Sequence, residues 1–167
     1  MSCVSFNTLS IGVTLMISNT EFFAVGTDVT NKASFVKLNV TTPSAYWNFL
    51  MDCPNTGSWA VTKSAGVLSS DKSQIYTLTS IGGAQVNLIF ATLSSSTGNL
   101  IGNSYASSDT TCTDAYDMRI NFNKVYALGM CSVFKIFIYD SVTNSFNILE
   151  SSTSIYRRFV LDFTGDK

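Results

Sequence analysis

Histidine is missing from all 167 residues, and with it goes the commonest general base. A Ser-His-Asp triad or a Cys-His pair in its ordinary form is thereby excluded. Proline occurs only twice, and none of the four cysteines stands in a CxxC pair, so the close spacing of most zinc sites is absent. Only 13% of the residues are charged, against roughly 25% in an average soluble domain, and the formal net charge is −1. That balance offers no cationic footprint for nucleic acid or an anionic membrane. No apolar run approaches the roughly 18 residues of a membrane-crossing helix, so no direct membrane insertion is expected within this chain. The first residues, MSCVSFNTLSIGVTLMISN, have neither a basic n-region nor a compact h-region and do not read as a signal peptide. No Gly-rich phosphate loop occurs: Gly82-Gly83 stands alone between two strand-like runs and reads as a hairpin turn. From these gaps we expect no catalytic residue, no metal site and no cofactor.

What the chain does have is strand signal. Hydrophobic residues reach 46%, enough for a sizeable core, and length alone favours one domain. Short runs rich in Val, Ile, Phe, Tyr and Thr alternate with clusters of Ser, Asn, Asp and Gly. No segment holds a 3.6-residue apolar period long enough for a helix of more than two turns. Strands are predicted near 12–17, 22–27, 34–40, 46–51, 65–70, 75–80, 85–93, 99–106, 115–122, 125–130, 133–139, 146–151 and 157–163.

The runs repeat. GVTLMISNTEFFAVG, AGVLSSDKSQIYTLT and AYDMRINFNKVYALG each read as a strand, a short polar turn and an aromatic-rich strand, and their marks Phe23, Tyr76 and Tyr126 lie 53 and 50 residues apart. Each is followed by a second strand pair around a turn, at Thr42-Pro43, Thr97-Gly98 and Thr143-Asn144. Gly and Asn tolerate positive φ, and Pro presets φ for the first turn position. One unit is therefore four strands in an up-and-down meander of about 42–55 residues, the size of a propeller blade.

The fold class this predicts is all-β: about three consecutive four-stranded antiparallel meander blades plus extra terminal strands, an incomplete β-propeller. The blades fall at roughly 11–52, 65–107 and 115–152, with the start of a further blade at 156–167, all in one partial domain over 1–167. A two-sheet β-sandwich of about 13 strands is the alternative. An unclosed propeller exposes blade faces and strand edges, so the isolated chain is expected to be marginal or prone to association.

In these repeats an aromatic-rich strand precedes an aliphatic strand, a Thr-containing turn and, in the first unit, Trp47 five residues after Thr42. That order resembles degenerate repeats of the pyrroloquinoline-quinone-like propeller superfamily, and also the long repeat proteins of protist cell surfaces. Gly102 and Ile148 occupy the tryptophan offset in the other two units, so that mark survives once. The resemblance implies a propeller, with Trp47 packed between blades, and no particular activity.

Few residues stand out as candidate sites. Asp109, Asp114 and Asp117 cluster near TTCTDAYD and form a candidate binding loop, although the EF-hand spacing is absent and turn acids commonly bond their own backbone. Asp162 and Asp166 flank a turn in LDFTGDK, and Arg157-Arg158 form an isolated basic pair. Trp47, Trp59 and Tyr46 could stack on a sugar. Asn39 heads the only sequon, Asn-Val-Thr, a candidate glycosylation site beside a turn. Cys3, Cys53, Cys112 and Cys131 allow three disulfide pairings or none. In a blade meander the connection into the first strand and the turn between the second and third share one end of the sheet. Cys112 and Cys131 sit in those two loops of one blade, so they are the expected disulfide, provided their Cα atoms lie within about 7 Å. Such a bond favours an extracellular or cell-surface location.

Three functions remain open. The first is a non-enzymatic binding or scaffolding module of a larger repeat protein, whose propeller-face loops contact a protein or glycan partner and whose ends meet the remaining blades of the same polypeptide. The second is a fragment of a propeller enzyme, a quinone-dependent dehydrogenase or a hydrolase, with its active site in missing blades. The third is a structural repeat of a large surface protein. No nucleic-acid partner is expected.

Overall fold

A computed structural model of the chain describes residues 8–28, 33–42, 44–51, 60–82, 86–101, 105–106 and 112–151. Among these residues there are strands and turns but no helix. Four strands form the first sheet: β1 (Thr8–Met16), β2 (Glu21–Asp28), β3 (Ala33–Asn39) and β4 (Ser44–Met51). The second holds β5 (Ala60–Leu68), β6 (Gln74–Gly82), β7 (Val86–Ser94) and β8 (Tyr105–Ala106). The third holds β9 (Asp114–Asn121), β10 (Lys124–Met130), β11 (Phe134–Asp140) and β12 (Ser145–Ser151). Each sheet pairs its strands antiparallel in chain order, the meander predicted from the repeat, and there are three sheets rather than the two of a sandwich.

The strand bounds differ from expectation in three places, for physical reasons. β1 begins at Thr8 rather than near 12, and two register shifts against β2 break its alternation there. β5 begins at Ala60 rather than near 65, because Thr62 is an extra residue between the pairs Val61–Ile81 and Lys63–Ser80 and breaks the alternation. Comparable register shifts interrupt β1 and β9, so the first strand of every sheet carries a bulge against the second. Bulges increase local twist, which suits blades that fan around an axis. The edge strand expected at 99–106 pairs in two pieces: Ile101 N–H donates to Thr92 O at 2.7 Å, Leu100 bridges Leu93, and Tyr105–Ala106 pairs with β7. The expected strand at 157–163 lies outside the described residues.

Successive sheets stack face to face, with β1 beside β5 and β5 beside β9. The face of each sheet that points along the chain, toward the next sheet, is here its forward face. Phe23, Val25 and Phe35 on the forward face of the first sheet pack with Val61, Ile75, Ile81, Ile89 and Leu93 of the second. Tyr76, Leu78, Leu88 and Phe90 on the forward face of the second pack with Ala115, Met118, Val125, Ala127, Phe137 and Tyr139 of the third. The aromatic marks Phe23 and Tyr76 thus do the same job one repeat apart. Full burial of side chains this size contributes about 1.5–3 kcal/mol each, and ring pairs such as Phe90–Tyr139 at 5.2 Å and Phe90–Phe146 at 5.0 Å add specific geometry. The approach is close: a Cβ at Gly129 would run into Leu88 Cδ1, so any larger residue there would force that buried side chain to move.

A polar tie accompanies each apolar interface, also in repeat register. Thr27, four residues after Phe23, accepts from Val61 N–H at 2.6 Å. Ser80, four residues after Tyr76, donates to Thr113 O at 3.3 Å. Met130 holds the same place in the third sheet.

Candidate binding face

The sheets have two ends. One carries the turn between the second and third strands and the connection into the next sheet, where the candidate acids and cysteines were expected. Cys112 and Cys131 meet there in a disulfide, with Cα atoms 3.5 Å apart, within the reach required. The pairing follows from the strand register: Asp114 lies opposite Met130, and Thr113 N–H donates to Met130 O at 2.8 Å, so the chain just beyond both strand ends is already side by side. Cys3 and Cys53 lie outside the described residues.

Asp114 is committed to the protein. Its carboxylate meets Lys63 Nζ of the second sheet at 2.5 Å and accepts from the Tyr116 hydroxyl at 3.0 Å and the Thr113 hydroxyl at 3.2 Å. Burial works to raise its pKa, but the Lys63 ammonium and the two hydroxyls outweigh that and hold it below the ordinary carboxylate value. Lys63 also lies 5.4 Å from the Tyr116 ring centre, so the cluster ties β5 to β9. Asp117 Oδ1 accepts from Met118 N–H at 2.9 Å, and Oδ2 lies 3.1 Å from Arg119 Nη2 without hydrogen-bond alignment, an ion pair only. Asp109, Trp59, Arg157, Arg158, Asp162 and Asp166 lie outside the described residues, as do the side chains of Tyr46 and Trp47. Trp47 stands opposite Lys37 in the register. Among the described residues no three His, Cys, Asp or Glu side chains are grouped to hold a metal ion.

The opposite end is built from the turns between the first and second and between the third and fourth strands of each sheet. Within every sheet one backbone hydrogen bond locks these two turns together: Val40 N–H to Thr20 O, Ser95 N–H to Ser73 O and Ser141 N–H to Asn123 O, at 2.8–2.9 Å. The outer turns are capped in register too. Asn39 Oδ1 accepts from Thr41 N–H at 2.8 Å, the Ser94 hydroxyl from Thr97 N–H at 3.3 Å and Asp140 Oδ1 from Val142 N–H at 2.9 Å. Gly98 and Asn144 take positive φ, at 75° and 53°, as the turn chemistry expects. The Asn39 sequon therefore sits in an Asx turn, with Val40 and Thr41 exposed.

Among the described residues, this end carries most of the exposed large hydrophobic side chains. Among the described residues six large hydrophobic side chains are exposed, and five of them, Met16, Val40, Leu100, Phe122 and Val142, lie here, spread over all three sheets. Between the second and third sheets the turns enclose a groove of about 180 Å³, lined by Ser69, Ser70, Asp71, Ser73, Gln74 and Tyr76 of the second sheet and by Ile120, Phe122, Asn123 and Ser141 of the third. Phe122 is 85% exposed, and its φ is 51° at the first of two turn residues between Asn121 and Lys124. The groove escaped the sequence reading because its walls come from turns some 50 residues apart and are made of Ser and Asn. The one available signal was the bulky Phe122 inside a two-residue hairpin turn, a place that usually takes Gly, Asn or Asp.

No family model matches the chain, and no curated protein matches it in sequence. Solved structures resemble its fold. BamB from Moraxella catarrhalis superposes at TM-score 0.49 with 13% identity, over 81% of this chain and 39% of that one. An α-L-arabinofuranosidase (CtGH43) from Clostridium thermocellum superposes at TM-score 0.51 with 13% identity, over 86% of this chain and 51% of that one. The chain thus spans about half the length of these structures or less. At this identity the likeness concerns the fold alone. With three stacked antiparallel meanders, it defines the class: an all-β chain forming part of a β-propeller.

Proposed function

We propose that the chain is a non-enzymatic binding or scaffolding module of a larger repeat protein, presenting turns of a propeller face to a protein or glycan partner. One observation carries this reading: among the described residues, five of the six exposed large hydrophobic side chains gather on one end of the sheets, over turns that are cross-locked in every repeat. Exposed apolar surface on a rigid frame is what a recognition face needs. The Cys112–Cys131 disulfide supports an extracellular or cell-surface setting, where Asn39 would be open to glycosylation.

The scaffolding half rests on the third sheet. Its forward face carries Tyr126, Leu128, Met130, Phe134, Ile136 and Ile138. The equivalent faces of the other two sheets are covered by the sheet that follows, and a further blade beginning near 156 would occupy the same place here.

Biolayer interferometry against a panel of extracellular matrix proteins and immobilised glycans tests the binding role. The intact chain should bind at least one member, and the double variant F122S/V142S should lose at least tenfold in affinity while keeping its circular dichroism spectrum. Binding that is indifferent to both substitutions would show that this face is not the recognition surface.

A further inference from the structure

We propose that the groove between the turn ends of the second and third sheets is a carbohydrate subsite that takes one neutral pyranose ring of a glycan. This rests on the reading that this end of the sheets is the binding face, and it names the ligand. The groove, at about 180 Å³, falls below the roughly 300–1,000 Å³ of sites for drug-sized ligands and cofactors. It suits a single sugar ring.

Its chemistry matches the two-sided character of a pyranose, which has an apolar C–H face and an equator of hydroxyls. Phe122 supplies an aromatic face beside the opening, almost wholly exposed. Aromatic faces stack well on such apolar rings. The surrounding groups are short and polar. Ser69, Ser73 and Gln74 are held in an internal network: the Ser69 hydroxyl donates to Asp71 at 2.6 Å, that of Ser73 to Asp71 at 2.8 Å, and the Tyr76 hydroxyl to Gln74 Oε1 at 2.6 Å. By contrast, the Ser70 hydroxyl and the Asn123 side-chain amide have no hydrogen-bond partner among the described residues, and both border the groove. They offer donors and acceptors at the spacing of adjacent turns, ready for sugar hydroxyls.

Charge selects against acidic sugars and phosphate. Asp71 borders the groove, and among the described residues no lysine or arginine does. A peptide fits less well, because the turn carbonyls of Ser73 and Asn123 already accept from Ser95 and Ser141. The backbone adds an independent observation. Phe122 holds a left-handed conformation that bulky residues rarely adopt, and its ring gains no burial in return. Strain kept at an exposed residue is the kind that function explains.

The test uses methyl glycosides of glucose, galactose, mannose and N-acetylglucosamine, titrated into the isotopically labelled full chain and followed by amide chemical shifts. At least one should shift the amides of Ser70, Phe122 and Asn123 saturably. F122G should cut affinity at least tenfold while leaving the melting temperature equal or higher, since glycine accepts the turn's positive φ without strain. F122W should retain binding, and V142S, outside the groove, should leave sugar binding unchanged. If no methyl glycoside produces a response sensitive to F122G, the carbohydrate assignment fails. If V142S still weakens a protein partner in that case, the binding face stands without it. Preferential binding of glucuronate, or of a peptide, in this groove would overturn the proposal equally.

Discussion

The second and third sheets use the same repeat positions with unequal cover, although Leu128 is buried like its counterpart Leu78. Phe90 and Ile136 stand in equivalent places, opposite Leu78 and Leu128 on their forward faces. Phe90 is fully buried against Tyr139 and Phe146 of the next sheet, whereas Ile136 is only half-buried, beside the exposed Leu149 of β12. The repeat therefore specifies an adhesive face regardless of whether a described neighbour covers it. In the first two interfaces a hydroxyl, Thr27 or Ser80, adds a polar tie, while the third sheet has Met130 there. Its forward face is correspondingly more apolar.

Truncation at both positions measures how differently the two faces are covered. F90A should cost about 3–5 kcal/mol, because it empties a fully enclosed aromatic site. I136A should cost about 1 kcal/mol. Urea denaturation of the two variants gives the difference directly. An equal loss at both positions would show that the third sheet's forward face is already as fully packed as the second's.

Next in size comes the disulfide, which crosslinks two loops of the third sheet. Cys112 and Cys131 close a loop with a sequence separation of 19, and such a crosslink contributes about 3 kcal/mol by restricting the unfolded chain. Reduction, or the pair C112A/C131A, should lower the urea midpoint accordingly. Peptide mapping without reduction should show the two cysteines joined, and finding both as free thiols would remove this term.

Much of this architecture was legible in the sequence, because the signals were local. Alternation in IYTLT and VYALG placed β6 and β10, and the spacing of Phe23, Tyr76 and Tyr126 placed the sheets in register. Thr97-Gly98 and Thr143-Asn144 announced turns by residue chemistry, and the positive φ of Gly98 and Asn144 is the physical reason. The Cys112–Cys131 pairing followed once the strands were in register. What stayed hidden depended on contacts between sheets. Lys63 and Asp114 are 51 positions apart, and nothing near either residue announces the other. Bulges such as that at Thr62 break the alternation from which strands are read, which is why β5 was expected to start late. The groove needed two turns from different sheets, and serine-rich turns look alike whether they border a site or only solvent.

The smallest effect compares the turn ends of the same two sheets through pH. Asp71, in the β5–β6 turn, has its pKa lowered to about 2, first by the Ser69 hydroxyl and then by the backbone N–H and hydroxyl of Ser73. Asp140, opening the β11–β12 turn, is also lowered, first by Thr143 N–H and then by Val142 N–H. Unfolded aspartate titrates near about 3.9. A group whose folded pKa is depressed binds protons more readily in the unfolded chain. Its stabilisation is present in full above the unfolded pKa and is lost as pH falls through the folded one. For Asp71 the window runs from about 4 down to about 2. Both carboxylates are solvent-exposed, so each effect should be small and weakened by salt. Melting temperatures recorded from pH 7 to pH 2 should fall less steeply below pH 4 in D71N and in D140N than in the parent chain. Asparagine keeps an oxygen acceptor for the turn but cannot titrate. If both variants follow the parent's acid limb without change, the turn carboxylates do not stabilise the face they border, and the rigidity of that end rests on its backbone cross-locks alone.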